Sequence, residues 1–171
     1  MLKPKTKVPA LNLPLTIDAE YDLAKQTPEN FTLVVFYRGK HCPICKKYLE
    51  ELGSKLGEFT KRGINTVAVS MDSKERAMVT DGEWNTGDVP LAYDMSEETA
   101  REWGLYISQK RPDSDEPEMF SEPGLFVIRP DGELYFASVQ NAPFTRPPLD
   151  QLLQGLDFVM DKDYPTRGTL T

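Results

Sequence analysis

Cysteine and histidine are scarce in this chain of 171 residues, which has two of the first and one of the second. Two cysteines are too few for a disulfide-stapled scaffold, and a closed structural zinc site needs four ligands that this inventory does not supply. Long apolar runs are missing as well: no segment approaches the roughly 18 residues that a membrane-spanning helix requires. The amino-terminal MLKPKTKVPALNLPL carries basic residues, but proline breaks its short apolar pieces, unlike a secretion signal. These absences lead us to expect a cytoplasmic protein with no membrane partner. Positive charge is also in deficit, with 20 Lys and Arg against 27 Asp and Glu and a net charge of −7. Nucleic acid is therefore a poor partner, because phosphate binding needs a basic face that displaces counterions.

What is present describes a globular chain. Its length falls in the usual single-domain range of roughly 100 to 200 residues, so residues 1–171 are expected to form one domain around one core. FTLVVFY (Phe31 to Tyr37) is a continuous β-branched and aromatic run, as in a central strand buried on both faces. From Cys45, the apolar positions Tyr48, Leu49, Leu52, Leu56 and Phe59 recur at helical spacing, and Gly63 follows where a left-handed cap would end the helix. INTVAVS (Ile64 to Ser70) reads as a second buried strand, placed parallel to the first by a right-handed crossover. Ser73 and Ser96 are suited to cap two further helices, with the short strand PLAYD (Pro90 to Asp94) between them. Gln109 to Pro123, rich in proline and acid, reads as an exposed loop whose Asp113, Asp115 and Glu116 form a solvated surface. GLFVIR and ELYFASV flank Pro130-Asp131-Gly132 as a hairpin, and Leu149, Leu152, Leu153, Leu156 and Val159 mark a last helix.

All three scarce residues fall between positions 41 and 45, in the stretch FYRGKHCPICKKYLEEL that joins the first strand to the first helix. Both cysteines then lie in the first helical turn or just before it. Unpaired N–H groups and about half a unit of positive charge at that terminus favour thiolate over thiol. Arg38, Lys40, Lys46 and Lys47 add local positive charge with no acid between them, in a chain that is acidic as a whole. A thiol with an ordinary pKa near 8.5 drops to about 3.5 to 7.5 in such surroundings. A second thiol three residues on is brought close by the helical turn and can close a disulfide. His41 could lower the thiol pKa or relay protons, or could simply be solvated. Two competing readings of the pair fit less well. Inert core cysteines sit awkwardly with Pro43 and a helix start, and haem attachment needs histidine where Lys46 stands.

A buried strand followed by F-Y-R-G-K-H-C-P-I-C-K resembles the thioredoxin superfamily, whose active-site C-x-x-C follows a central strand. The layout is similar to its peroxiredoxin-like branch, the alkyl hydroperoxide reductase and thiol-specific antioxidant family, over roughly residues 8 to 160. PLAYD and SEETAREWG stand where that family has its extra strand and helix. The resemblance implies a three-layer α/β/α fold with a central mixed sheet. It implies a thiol oxidoreductase in which Cys42 and Cys45 reduce a hydroperoxide or a disulfide, without a bound cofactor or metal. An external thiol reductant, such as a thioredoxin or glutathione system, restores the pair. The family's proline before the hairpin strand, often cis, is matched by Pro123.

Two departures stand out. The family's Pro-x-x-x-Thr-x-x-Cys pattern, set on Cys45, puts Arg38 at the proline and Cys42 at the threonine. The arginine that precedes the hairpin strand is replaced by Pro123. If the hairpin follows the thioredoxin arrangement, the loop NAPFTRPP faces the cysteines, and its Arg146 is the candidate substitute, with Arg38 next. A surface arginine packed on Phe144 is the plainer reading of Arg146. The thioredoxin pattern assigns the attack to the first cysteine and the peroxiredoxin spacing to the second. For disulfide exchange we expect Cys42, on the ground that Cys45 lies on the apolar stripe and should be the more buried. The alternative functions are a thioredoxin-like protein disulfide reductase without peroxidase activity and a non-catalytic module that senses redox state or binds a partner.

Overall fold

The computed structural model of the chain describes residues 1–170. Its centre is β3 (Phe31–Phe36), all six residues of which are buried. Alternate side chains of a strand point to opposite faces, so β3 feeds two cores. Phe31, Leu33 and Val35 meet Leu49, Leu52 and Phe59 of α1 (Pro43–Lys61) and Leu149, Leu153 and Leu156 of α4 (Leu149–Lys162). Val34 and Phe36 meet Leu11, Leu13, Ala100, Trp103 and Phe126 on the other face. The molecule therefore has helices on both sides of a sheet, the α/β/α arrangement expected of the thioredoxin-like fold.

The sheet has the order β5-β4-β3-β8-β9. The crossover through α1 sets β4 (Ile64–Val69) parallel to β3, with Phe31 beside Ile64 and Phe36 beside Val69. On the other side β8 (Gly124–Ile128) runs antiparallel, pairing Gly124 with Phe36, and β9 (Leu134–Val139) returns, pairing Val139 with Gly124. Hence β3 ends, β8 begins and β9 ends at one edge of the molecule. α2 (Lys74–Glu83) and α3 (Glu97–Glu102) start at Ser73 and Ser96, each of which accepts a backbone N–H, and β5 (Leu91–Ala92) lies between them. Gly63 ends α1 in the left-handed region, at φ +70°.

Two parts of the sequence reading need correction. The proline-rich start contains a small antiparallel hairpin, β1 (Asn12–Pro14) with β2 (Glu20–Asp22), whose Leu13 and Tyr21 join the second core. The stretch read as an exposed loop from Gln109 to Pro123 overlaps another hairpin, β6 (Ile107–Gln109) with β7 (Met119–Ser121). Glu116 in it is buried rather than solvated, at 3% exposure. The Arg111 backbone N–H donates to its Oε2 (2.8 Å) and the Arg111 Nε–H to its Oε1 (2.9 Å), and these bonds hold the carboxyl at about 2, well below the usual range.

Candidate active site

Cys42 is the N-cap of α1 and Pro43 takes its first position, where the missing N–H costs nothing. The Cys45 N–H donates to Cys42 Sγ at 3.1 Å, so the sulfur serves as the cap acceptor that serine or aspartate usually provides. The two cysteines have Cα atoms 5.2 Å apart and are joined as a disulfide. Their exposures are 1% for Cys42 and 0% for Cys45. The burial difference on which we expected Cys42 to be the attacking thiol is therefore absent, because the side chain of a cap residue folds back under the turn it caps.

The loop from β3 to α1 is shaped by a residue that sequence reading passed over. Gly39 has φ +127°, and a Cβ there would stand 2.6 Å from Asp72 Oδ1. Asp72 is buried, accepts the Lys40 N–H at 2.7 Å, and is paired with Arg76 Nε at 3.1 Å. Gly39→Ala is expected to destabilise the fold by at least the roughly 1–3 kcal/mol of a side chain forced into such a conformation. Chemical denaturation checks this, and an unchanged midpoint would mean that the loop relaxes at no cost.

Arg38 lies across the sheet from Glu122, as continuation of the Phe36–Gly124 register requires. Its Nε is 3.2 Å from Glu122 Oε2, its Nη2 is 3.7 Å from Glu116 Oε1, and its guanidinium lies 4.8 Å from the Phe120 ring centre. Glu122 is buried and also accepts from Ser108 Oγ at 2.7 Å. Arg38 is thus engaged by two buried carboxylates. The sequence reading missed both roles, although counting the hairpin register back from Pro123 would have placed Glu122 opposite Arg38. His41 packs its ring edge-on against Phe120, 4.6 Å between centres. Burial first, and then the neighbouring Arg38, lower its pKa, so it is a neutral imidazole at pH 7 and does not add cationic charge beside the thiols. Pro123 is buried directly before β8, and its carbonyl accepts the Gln140 N–H at 3.0 Å. Its peptide bond is trans, as are all those described.

Arg146 reaches the dithiol from the far end of the hairpin. Its Nη2–H donates to Cys45 Sγ at 2.9 Å and its Nη1–H to the Pro143 carbonyl at 2.8 Å, while the guanidinium lies 5.2 Å from the Tyr48 ring centre. Phe144, the expected partner of a surface arginine, is 60% exposed, and the Arg146 guanidinium is engaged by Cys45, Pro143 and Tyr48. Among the described residues no carboxylate pairs with Arg146. Burial, with Arg38 adding to it, pushes its pKa down to about 10, which leaves it charged at pH 7. A cleft of about 210 Å³ opens beside it, lined in part by Ile44, Lys47, Tyr48 and Phe144. A larger apolar groove of about 590 Å³ lies between β9 and α4, and neither cysteine lines it. The described residues hold no cluster of three or more His, Cys, Asp or Glu suited to a metal, and no helix among them is long and apolar enough to cross a membrane.

A dithiol at the head of the helix that follows the central strand, in this sheet order, defines a thiol-dependent oxidoreductase of the thioredoxin superfamily. The profile of the AhpC/TSA family matches residues 4–137, and the chain belongs to that family, the peroxiredoxins. A Mycobacterium tuberculosis (strain ATCC 25618 / H37Rv) protein named as a peroxiredoxin is 29% identical over 143 residues, 80% of this chain and 84% of that one. Among solved structures, peroxidoxin BcpB from Mycobacterium tuberculosis superposes with a TM-score of 0.74 at 19% identity, covering 93% of this chain and 99% of that one. The reduced 2-Cys peroxiredoxin of Plasmodium vivax gives 0.76 at 17% identity, over 95% and 84% of the two chains.

Proposed function

We propose that the protein reduces hydroperoxides, with Cys45 as the attacking thiolate and Cys42 as the resolving thiol. The observation that carries this reading is the charged guanidinium of Arg146, 2.9 Å from the sulfur of a fully buried cysteine. The Cys45 thiolate attacks the distal oxygen of the peroxide, so that an S–O bond forms as the O–O bond breaks and a sulfenic acid results, and the alkoxide or hydroxide that leaves takes a proton to become alcohol or water. The Cys42 thiol then attacks that sulfenic sulfur, expelling water and forming the disulfide. Two equivalents of an external thiol return the pair to its reduced state. Arg146 supports the first step twice. It stabilises the thiolate before attack and has a second N–H edge for the departing oxygen.

Burial of both sulfurs favours a peroxide over a protein disulfide as oxidant. A peroxide presents two small atoms, whereas a protein disulfide must bring bulky flanks to bonding distance of a covered sulfur. A thioredoxin or glutathione system in a cytoplasmic, reducing compartment is the reductant that suits the cycle. Stopped-flow oxidation of the reduced protein by hydrogen peroxide and by a model disulfide, side by side, tests the reading. The expected product is a monomer two hydrogens lighter, formed faster with the peroxide. A product linked only between molecules, or faster reaction with the disulfide, would sink it.

A further inference from the structure

Tyr48 lies one turn beyond Cys45 on α1, on the stripe that sequence reading assigned to the core. Its contacts are more specific than core packing. The hydroxyl donates to the Pro147 carbonyl at 2.7 Å, across 99 residues of sequence, and the ring lies beneath the Arg146 guanidinium. Burial raises the pKa of the phenol, so it stays protonated and able to donate. Between the two anchors the backbone is in an unfavourable shape: Thr145, which is not glycine, sits at φ +61°. A loop that carries such a residue keeps its conformation only where its surroundings hold it. Here the hold is the Tyr48 hydroxyl on Pro147 and the Arg146 guanidinium on Pro143.

We propose that Tyr48 is a positioning residue: it latches the loop of residues 140–148 so that Arg146 stays on Cys45, and release of its bond to Pro147 uncovers the disulfide for the reductant. This rests on the reading of Cys45 and Arg146 given above. The latch acts oppositely on the two halves of the cycle. Closed, it holds the cation that favours the Cys45 thiolate, which speeds oxidation. Reduction requires an external thiolate to bond to one sulfur of the disulfide while the other leaves as a thiolate. With exposures of 1% and 0%, neither sulfur is open to an attacking thiolate, and the group seated on Cys45 Sγ, the Arg146 guanidinium, belongs to this loop.

The test is single-turnover kinetics of each half-reaction in the full chain, using hydrogen peroxide on the reduced protein and dithiothreitol on the oxidised protein. Tyr48→Phe keeps the ring under Arg146 and removes only the hydroxyl. It is expected to slow oxidation and to speed reduction, each by roughly three- to ten-fold, the range that loss of one neutral hydrogen bond spans. Tyr48→Leu also removes the ring and should move both rates further the same way, its oxidation rate approaching that of Arg146→Met. A purely structural role would not move the two half-reactions in opposite directions. Rates that both stay unchanged, both fall or both rise in Tyr48→Phe overturn the proposal. Arg146→Met run in parallel separates the two readings: slow oxidation there with normal Tyr48→Phe rates defeats the latch alone, and normal oxidation in Arg146→Met defeats the role of Arg146 and the latch with it.

Discussion

Cys45→Ser protein should consume no hydroperoxide, whereas Cys42→Ser protein should consume one equivalent and stop. The expected loss in Cys45→Ser is more than about a thousand-fold in rate, as for removal of a reacting nucleophile. In Cys42→Ser the sulfenic acid at Cys45 has no neighbouring thiol to displace its oxygen. It should therefore accumulate, adding one oxygen to the mass and reacting with a dimedone probe. The physical basis is the asymmetry between two sulfurs of equal burial. Cys42 Sγ accepts a backbone N–H as the helix cap, a neutral donor, whereas Cys45 Sγ accepts from a charged guanidinium. Hydrogen bonds in which one partner is charged are roughly twice as strong as neutral ones, so the thiolate is better stabilised at Cys45. The competing assignment, with Cys42 attacking as in a thioredoxin, predicts the reverse. If Cys42→Ser loses the fast-reacting thiol and Cys45→Ser keeps it, the cap position outweighs the guanidinium and our assignment is wrong.

The second large effect is expected from Arg146→Met. Removing one preorganised donor from developing negative charge typically costs about a hundred-fold in rate or more, and peroxide oxidation should slow by about that factor. The pKa of the Cys45 thiol should rise, because its charged form loses its cationic neighbour. Thiolate is the reacting form, so the variant's pH–rate profile should shift to higher pH and part of the lost rate should return in alkali. Thermal stability should change little: the substitution replaces a half-buried cation that lacks a carboxylate partner with an apolar chain of similar length, which offsets the lost contacts with Pro143 and Cys45. The pH dependence of alkylation, with thermal unfolding beside it, checks both parts. An unchanged thiol pKa and oxidation rate would remove Arg146 from the reaction. Arg38, though already paired with Glu122 and Glu116, would then be the next cation to test.

The residue patterns alone determined the frame of the molecule. FTLVVF and INTVAV read as buried strands because β-branched side chains with no polar face have no other stable home. Gly63 ended α1, Pro130-Asp131-Gly132 turned the hairpin, and Pro43 between two cysteines marked a helix start, all through backbone preferences that act over a few residues. The topology that follows from such elements was also legible, and it places the loop carrying Arg146 at the cysteine end of the sheet. The tertiary structure decided what depends on partners far apart in the chain. Strands of three residues, as in β1, β2, β6 and β7, are too short to carry a periodicity and form only because a neighbour is supplied for them. Glu116 and Glu122 look like surface acids in sequence and are buried because the fold sets cations against them, Arg111 on Glu116 and Arg38, from the end of β3, between the two. Tyr48 looks like one more apolar position on a helix, and only folding brings Pro147 to its hydroxyl. Local conformational preference is a property of neighbouring residues, but the cost of burying a charge or a thiol is settled by whatever the fold places against it.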